Sequence, residues 1–227
     1  MQTNVDHSGK GILNQEAGKH KFLITRHAPS PELAPFILRY WVARWDLRGE
    51  PPYRQVVLSH PNVNLVFEKE NTRIYGIPLQ TSSQLLYDEG MVLGVMFKPG
   101  GFYPFWQSPV SGLTGRSVRF EEAFGCDARP VEEHVLSAAD DAGVVEAAER
   151  FFRERLPHAD DSLDLACRIV ETIERERAIT KVDDVVSRFG YNKRTIQRLF
   201  DKYVGVTRNG SFSGIGCTRR RCRWRRG

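Results

Sequence analysis

Two hydrophobic rhythms divide this chain. Between residues 38 and 97 apolar positions come in short β-type runs: 38–47 (LRYWVARWDL), 55–59 (QVVLS), 62–68 (NVNLVFE), 73–77 (RIYGI), 83–87 (SQLLY) and 91–97 (MVLGVMF). Prolines, glycines and asparagines punctuate them at intervals that suit a sandwich or barrel. After Phe97 the stretch FKPGGFYPFW predicts a turn at Pro99, Gly100 and Gly101 and then a short helix anchored by its aromatics. From residue 128 the period changes to helical. Val144, Val145, Ala148, Phe151 and Phe152 form one stripe that stops at Pro157. Beyond the acidic pair Asp160-Asp161, a second stripe of Leu163, Leu165, Ala166, Ile169, Val170 and Ile173 predicts a platform helix from Ser162.

Residues 181–206, KVDDVVSRFGYNKRTIQRLFDKYVGV, predict two short amphipathic helices about a glycine turn. Val182, Val185, Val186 and Phe189 share one face of the first, Gly190 closes it, and Asn192 caps the second. The second helix turns Ile196, Leu199, Phe200 and Tyr203 inward and presents Lys193, Arg194, Gln197, Arg198 and Lys202 outward. Such donors can read base edges and hold phosphates in a major groove. A helical hairpin with a solvated basic face is the plainer alternative. The short turn and the one-sided donors favour a helix-turn-helix that binds double-stranded DNA.

These residues resemble the AraC family of bacterial transcription regulators, specifically the first of two helix-turn-helix units in that family's C-terminal domain. The resemblance runs from Asp161 to Thr207 and rests on Val182, Gly190, Arg198-Leu199-Phe200 and Gly205-Val206-Thr207. Val186 stands where the family usually has alanine, and Asn192 where it has serine. The resemblance implies that Arg194, Gln197 and Arg198 touch bases, and Lys193, Lys202 and backbone amides are the expected phosphate contacts. A small-molecule effector and a second copy of the chain, as a homodimer, are the other expected partners. The earlier YW and PGGF stretches resemble the β-rich, cupin-like sensory domains attached to some of these regulators. The expected fold class is therefore α+β, a cupin-like β-rich domain followed by an all-α module. Its parts are a flexible N-terminus (1–21), a sensory domain (22–127), a helical connector (128–160), the helix-turn-helix unit (161–207) and an arginine-rich tail (208–227).

Charge alters the picture only at the end of the chain. The formal net charge is +5, from 33 basic and 28 acidic residues over 227 positions. Residues 208–227 hold seven arginines and no acid, which leaves 26 basic against 28 acidic, a net −2, for the rest. The tail RNGSFSGIGCTRRRCRWRRG reads either as a basic arm for phosphates or as out-of-frame translation. A back-translation shifted by one base gives PKWVIQRYRLHEAALQVAAG, which resembles the family's helix linking the two units. A regulator truncated there and impaired in specific DNA binding is the expected product, with affinity near the non-specific range of roughly 10⁻⁴–10⁻⁶ M at physiological salt.

Other chemistry is weakly signalled. The turn at Gly100 and Gly101 lacks dinucleotide or P-loop spacing. His20, His27, His60, His134 and His158 are scattered, with His60 and Glu68 the best ligand pair available, so neither a metal, a cofactor nor an enzymatic activity is expected. Cys126, Cys167, Cys217 and Cys222 form no CxxC pair, and Cys167 falls on the inward face of its helix. Without a signal-type apolar core or a run of about 20 apolar residues, a cytoplasmic protein that keeps clear of membranes is expected. A ligand-binding or oligomerising module that engages no operator is the second functional reading.

Overall fold

The computed structural model describes residues 21–57, 62–158, 161–176, 178–179 and 181–205. Alternation of apolar and polar side chains builds eight strands: β1 (Leu23–His27), β2 (Ile37–Asp46), β3 (Tyr53–Val57), β4 (Asn64–Phe67), β5 (Arg73–Tyr75), β6 (Ser82–Leu86), β7 (Glu89–Phe97) and β8 (Ser117–Arg119). Six form one antiparallel sheet in the order β1-β2-β7-β4-β5-β8, and β3 pairs with β6 in a separate ribbon. Each run read as a strand in the sequence overlaps one of these elements, with ends displaced by up to two residues. β1 and β8 went unpredicted.

The centre of the sheet is the long β2–β7 pair. Trp41 lies opposite Gly94 and Trp45 opposite Gly90. A Cβ on Gly94 would fall 1.8 Å from Trp41 Cε2, so only glycine lets the indole lie flat across the neighbouring strand. The other face buries Tyr40, Val42, Leu65, Phe67, Ile74, Leu93, Val95 and Phe97.

Seven helices follow among the described residues: α1 (Tyr103–Trp106), α2 (Phe120–Phe124), α3 (Arg129–Leu136), α4 (Asp141–Arg153), α5 (Asp161–Arg175), α6 (Val182–Phe189) and α7 (Lys193–Leu199). A 3-10 turn at Val110–Leu113 lies between α1 and β8, and α7 runs on into a π segment, Phe200–Val204. The overall class is mixed α+β.

Helices α3 and α4, expected as a connector, pack onto the sheet. Phe152 meets Phe97 edge-on at 5.8 Å, and Phe120, Phe124 and Phe151 extend the same aromatic layer. Buried carboxylates pin them there. Glu132 of α3 accepts from the Glu70 backbone N–H (2.6 Å) and the Thr72 hydroxyl (2.7 Å), while Glu149 of α4 accepts from the Ser30 N–H (2.7 Å). Arg153 neutralises Glu149 and also pairs with Glu32 and Glu146. Burial, then the charge of Glu149, pushes the Tyr40 hydroxyl far above the ordinary tyrosine range. At the N-terminus of α4, Asp141 accepts from Thr25 and from Arg44 Nε (2.9 Å), which ties the helix to β1 and β2.

Candidate nucleic-acid interface

Helices α6 and α7 are built as their sequence dictates. Asp183 and Asp184 sit in the first turn of α6, where they complement the helix dipole, and Asp184 accepts from the Lys181 N–H at 2.9 Å. Gly190 ends α6 with φ +74°, the left-handed conformation that costs glycine least, and its N–H returns to the Val186 carbonyl at 2.9 Å. Two residues later Asn192 caps α7, its side-chain oxygen accepting from the Thr195 N–H at 2.9 Å. A three-residue connection, Gly190-Tyr191-Asn192, therefore joins the two helices.

Inward, α7 and its π extension bury Ile196, Leu199, Phe200, Tyr203 and Val204 against Val185 of α6 and Leu163, Ala166, Ile169 and Val170 of α5. Outward, Lys193, Arg194 and Arg198 are exposed and Gln197 is half-buried. Among the described residues Arg194 and Arg198 form no ion pair, whereas Lys193 Nζ meets Asp183 Oδ1 at 2.9 Å. Lys202 is placed differently. Its ammonium lies 4.5 Å from the Tyr103 ring and 4.9 Å from the Tyr203 ring, and interaction with Tyr103 foremost holds it above the usual lysine range.

Those rings belong to a seam between the helices and the β-rich part. Tyr103 and Tyr203 stand 4.5 Å apart, the Thr114 hydroxyl donates to the Gly205 carbonyl, and Gly205 abuts Ile77 and Val110. Gly100, at the turn after β7, lies against Leu163, Ala166 and Tyr203. The turn read from PGGF is thus the bearing surface for α5 and for the end of the α7 segment. A groove of about 430 Å³ opens along this seam between Trp106, Arg116, Glu122 and Asp201. No sequence signal pointed to the seam, because its partners, such as Ile77 and Gly205, lie far apart in the chain and share no motif.

Cys167 donates to the Pro99 carbonyl at 3.2 Å across the same seam, and burial pushes its thiol up to about 11 from an ordinary 9.0. Two units reduce the thiolate at pH 8 about 100-fold, so Cys167 should alkylate about 100-fold more slowly than an unperturbed thiol. Peptide mass mapping after iodoacetamide reads this directly. Labelling at the rate of a free cysteine would mean that the seam stands open.

No group of three or more His, Cys, Asp or Glu side chains is arranged to hold a metal ion among the described residues. His27 faces Asp141 at 3.7 Å beside Thr25, a contact within the α4 anchor. His20, His60, Cys217, Cys222, Val206, Thr207 and the arginine-rich tail lie outside the described residues. No described helix is long and apolar enough to cross a membrane.

With the helices and their seam in place, the comparisons with known proteins concern only what lies beneath them. Residues 25–119 match a domain of unknown function, DUF6597. The DUF6597 region thus takes in the last three residues of β1, all of β2 to β8, the PGGF turn and Tyr103, and it stops just before α2. No curated protein matches the chain, and no solved structure does. On the seam, the DUF6597 region supplies Pro99, Gly100, Tyr103 and Thr114; the helices beyond it supply Leu163, Cys167, Lys202, Tyr203 and Gly205.

Proposed function

We propose that this protein is an AraC-type DNA-binding transcription regulator, in which the DUF6597 region acts as a cupin-like sensory domain and α6–α7 act as a helix-turn-helix. The observation that carries the reading is the exposed face of α7. Arg194 and Arg198 stand unpaired among the described residues, next to Gln197, on a helix whose opposite side is fully committed to the core. Guanidinium forks and a carboxamide suit the acceptor and donor patterns of base edges. Lys193 lies at the start of the same helix and would exchange Asp183 for a phosphate. Lys202 would reach a phosphate only by leaving Tyr103, which couples DNA contact to the seam. A small-molecule effector that loosens or tightens the seam would act through the same link, in a cytoplasmic protein.

The alternative is a ligand-binding or oligomerising module that engages no operator. It is favoured by one feature, the anchoring of the π segment through Lys202 and Tyr203. Selection of bound sequences from a random DNA pool, followed by gel shifts across a salt series, separates the two. A regulator enriches one motif and prefers it to competitor DNA at the same salt, even where its affinity lies close to the non-specific range. Binding that is absent, or equal for all sequences, would leave the alternative.

A further inference from the structure

Four strands leave a backbone edge unpaired among the described residues: β1 and β8 at the two ends of the six-stranded sheet, and β3 and β6 on either side of the ribbon. A free edge presents unsatisfied N–H and C=O groups and pairs readily with another strand, so natural proteins protect it with charge, proline or a bulge. β1 carries Arg26 and His27, β3 carries Arg54, and β8 carries Arg119, with Arg116 directly before the strand. β6 carries no such protection in its own residues, and the nearest cation, Arg54 of β3, is engaged within the ribbon by the Ser83 hydroxyl at 3.2 Å. From Ile77 to Tyr87 (IPLQTSSQLLY) no residue is charged, in a chain that is 27% charged, and the single proline, Pro78, falls before the strand. The five pairs from Tyr53–Leu86 to Val57–Ser82 continue without a register shift, so no bulge turns the edge away.

Burial sharpens the point. Successive side chains of a strand point to opposite faces, yet Ser82, Ser83, Gln84 and Leu85 are all exposed. Both faces of β6 are therefore open from Ser82 to Leu85, with only Leu86 half-buried at its end, and Leu85 and Tyr87 are 50% and 65% exposed. An isolated two-stranded ribbon is marginal in water; three or more strands or a packing partner are needed.

We propose that β6 is the dimer contact of this protein, pairing antiparallel with β6 of a second copy so that two β3–β6 ribbons become one four-stranded sheet. Charge selects the second copy as the occupant. A two-fold contact sets an edge against itself, so the cations of β1, β3 or β8 would meet their own kind, whereas the neutral β6 edge meets no like charge. The arrangement also brings Leu85 and Tyr87 towards a second apolar patch. It would set two α6–α7 units about one axis, as palindromic half-sites require of dimeric DNA readers.

Light scattering on the full chain, without DNA, tests the contact independently of any DNA reading. The wild type should give twice the 25.9 kDa chain mass. Ser82→Lys or Gln84→Lys, at exposed positions opposite the uncharged Val57 and Gln55, should return the mass to one chain with an unchanged circular dichroism spectrum. Leu23→Lys, on the exposed start of the β1 edge, should leave the dimer intact. A monomeric wild type, a dimer that survives both β6 substitutions with folding retained, or a dimer abolished by Leu23→Lys would overturn the proposal.

Discussion

Replacing Phe200 by alanine should cost about 3–5 kcal/mol of stability, a large part of the roughly 5–15 kcal/mol that holds a typical domain folded. Phe200 is 3% exposed and sits where α7 passes into the π segment, its carbonyl accepting from the Gly205 N–H at 2.9 Å. Removing the ring leaves a cavity between α5, α6 and α7, whose neighbours are fixed by the seam and cannot close in. The loss should not stop at the helices. Tyr203, three residues on, rests on Tyr103 and Gly100, and one continuous set of buried residues runs from Leu33 in the DUF6597 region to Val204. In urea, helical circular dichroism and tryptophan fluorescence should therefore shift together to a lower midpoint. Trp106 lines the seam groove, and Trp41 and Trp45 lie in the sheet, so their emission follows the DUF6597 region. An early helical transition with the tryptophan signal unmoved would show that α5–α7 fold as a separate unit.

Local chemistry was legible wherever one short segment decides the outcome. Gly190 and Asn192 could be placed as stop and cap because a left-handed turn and an unpaired N–H require particular residue types, and the structure puts both in those roles. The β2 and β7 runs were legible because long stretches of β-branched and aromatic residues lie between turn signals. β1 and β8 were not. LITRH mixes two apolar residues with three polar ones, and SVR has one apolar position, so their strand character comes from pairing with β2 and β5. The region 128–160 looked like a connector because its stripe is that of any surface helix; which surface it covers depends on Phe97 and Phe120, tens of residues earlier. Glu132 and Glu149 would pass for solvated charges in the sequence, and only the folded chain brings Thr72 and Ser30 to them. Lys202 shows the same limit at the candidate site. Helical spacing puts it beside Arg198, but the Tyr103 ring decides where its ammonium rests.

Replacing Arg198 by alanine should cost about 1–3 kcal/mol of specific DNA binding, a drop of about 5- to 150-fold, and relax the preference at one base position. Arg198 is exposed and free of ion pairs among the described residues, so truncation touches no core contact and the thermal midpoint should stay where it is. Arg194→Ala should behave alike at a different base. Lys193→Ala makes a contrasting pair with them. A point charge on a phosphate carries no sequence information, so its loss should weaken all DNA sequences equally and lower the slope of log affinity against log salt by about one. Its effect should also be the smaller, because Lys193 gives up Asp183 when it binds, whereas Arg198 forfeits no partner among the described residues. Competition gel shifts with the selected motif and with single-base variants read both outcomes. Full discrimination retained by Arg198→Ala would mean that this face of α7 does not read bases.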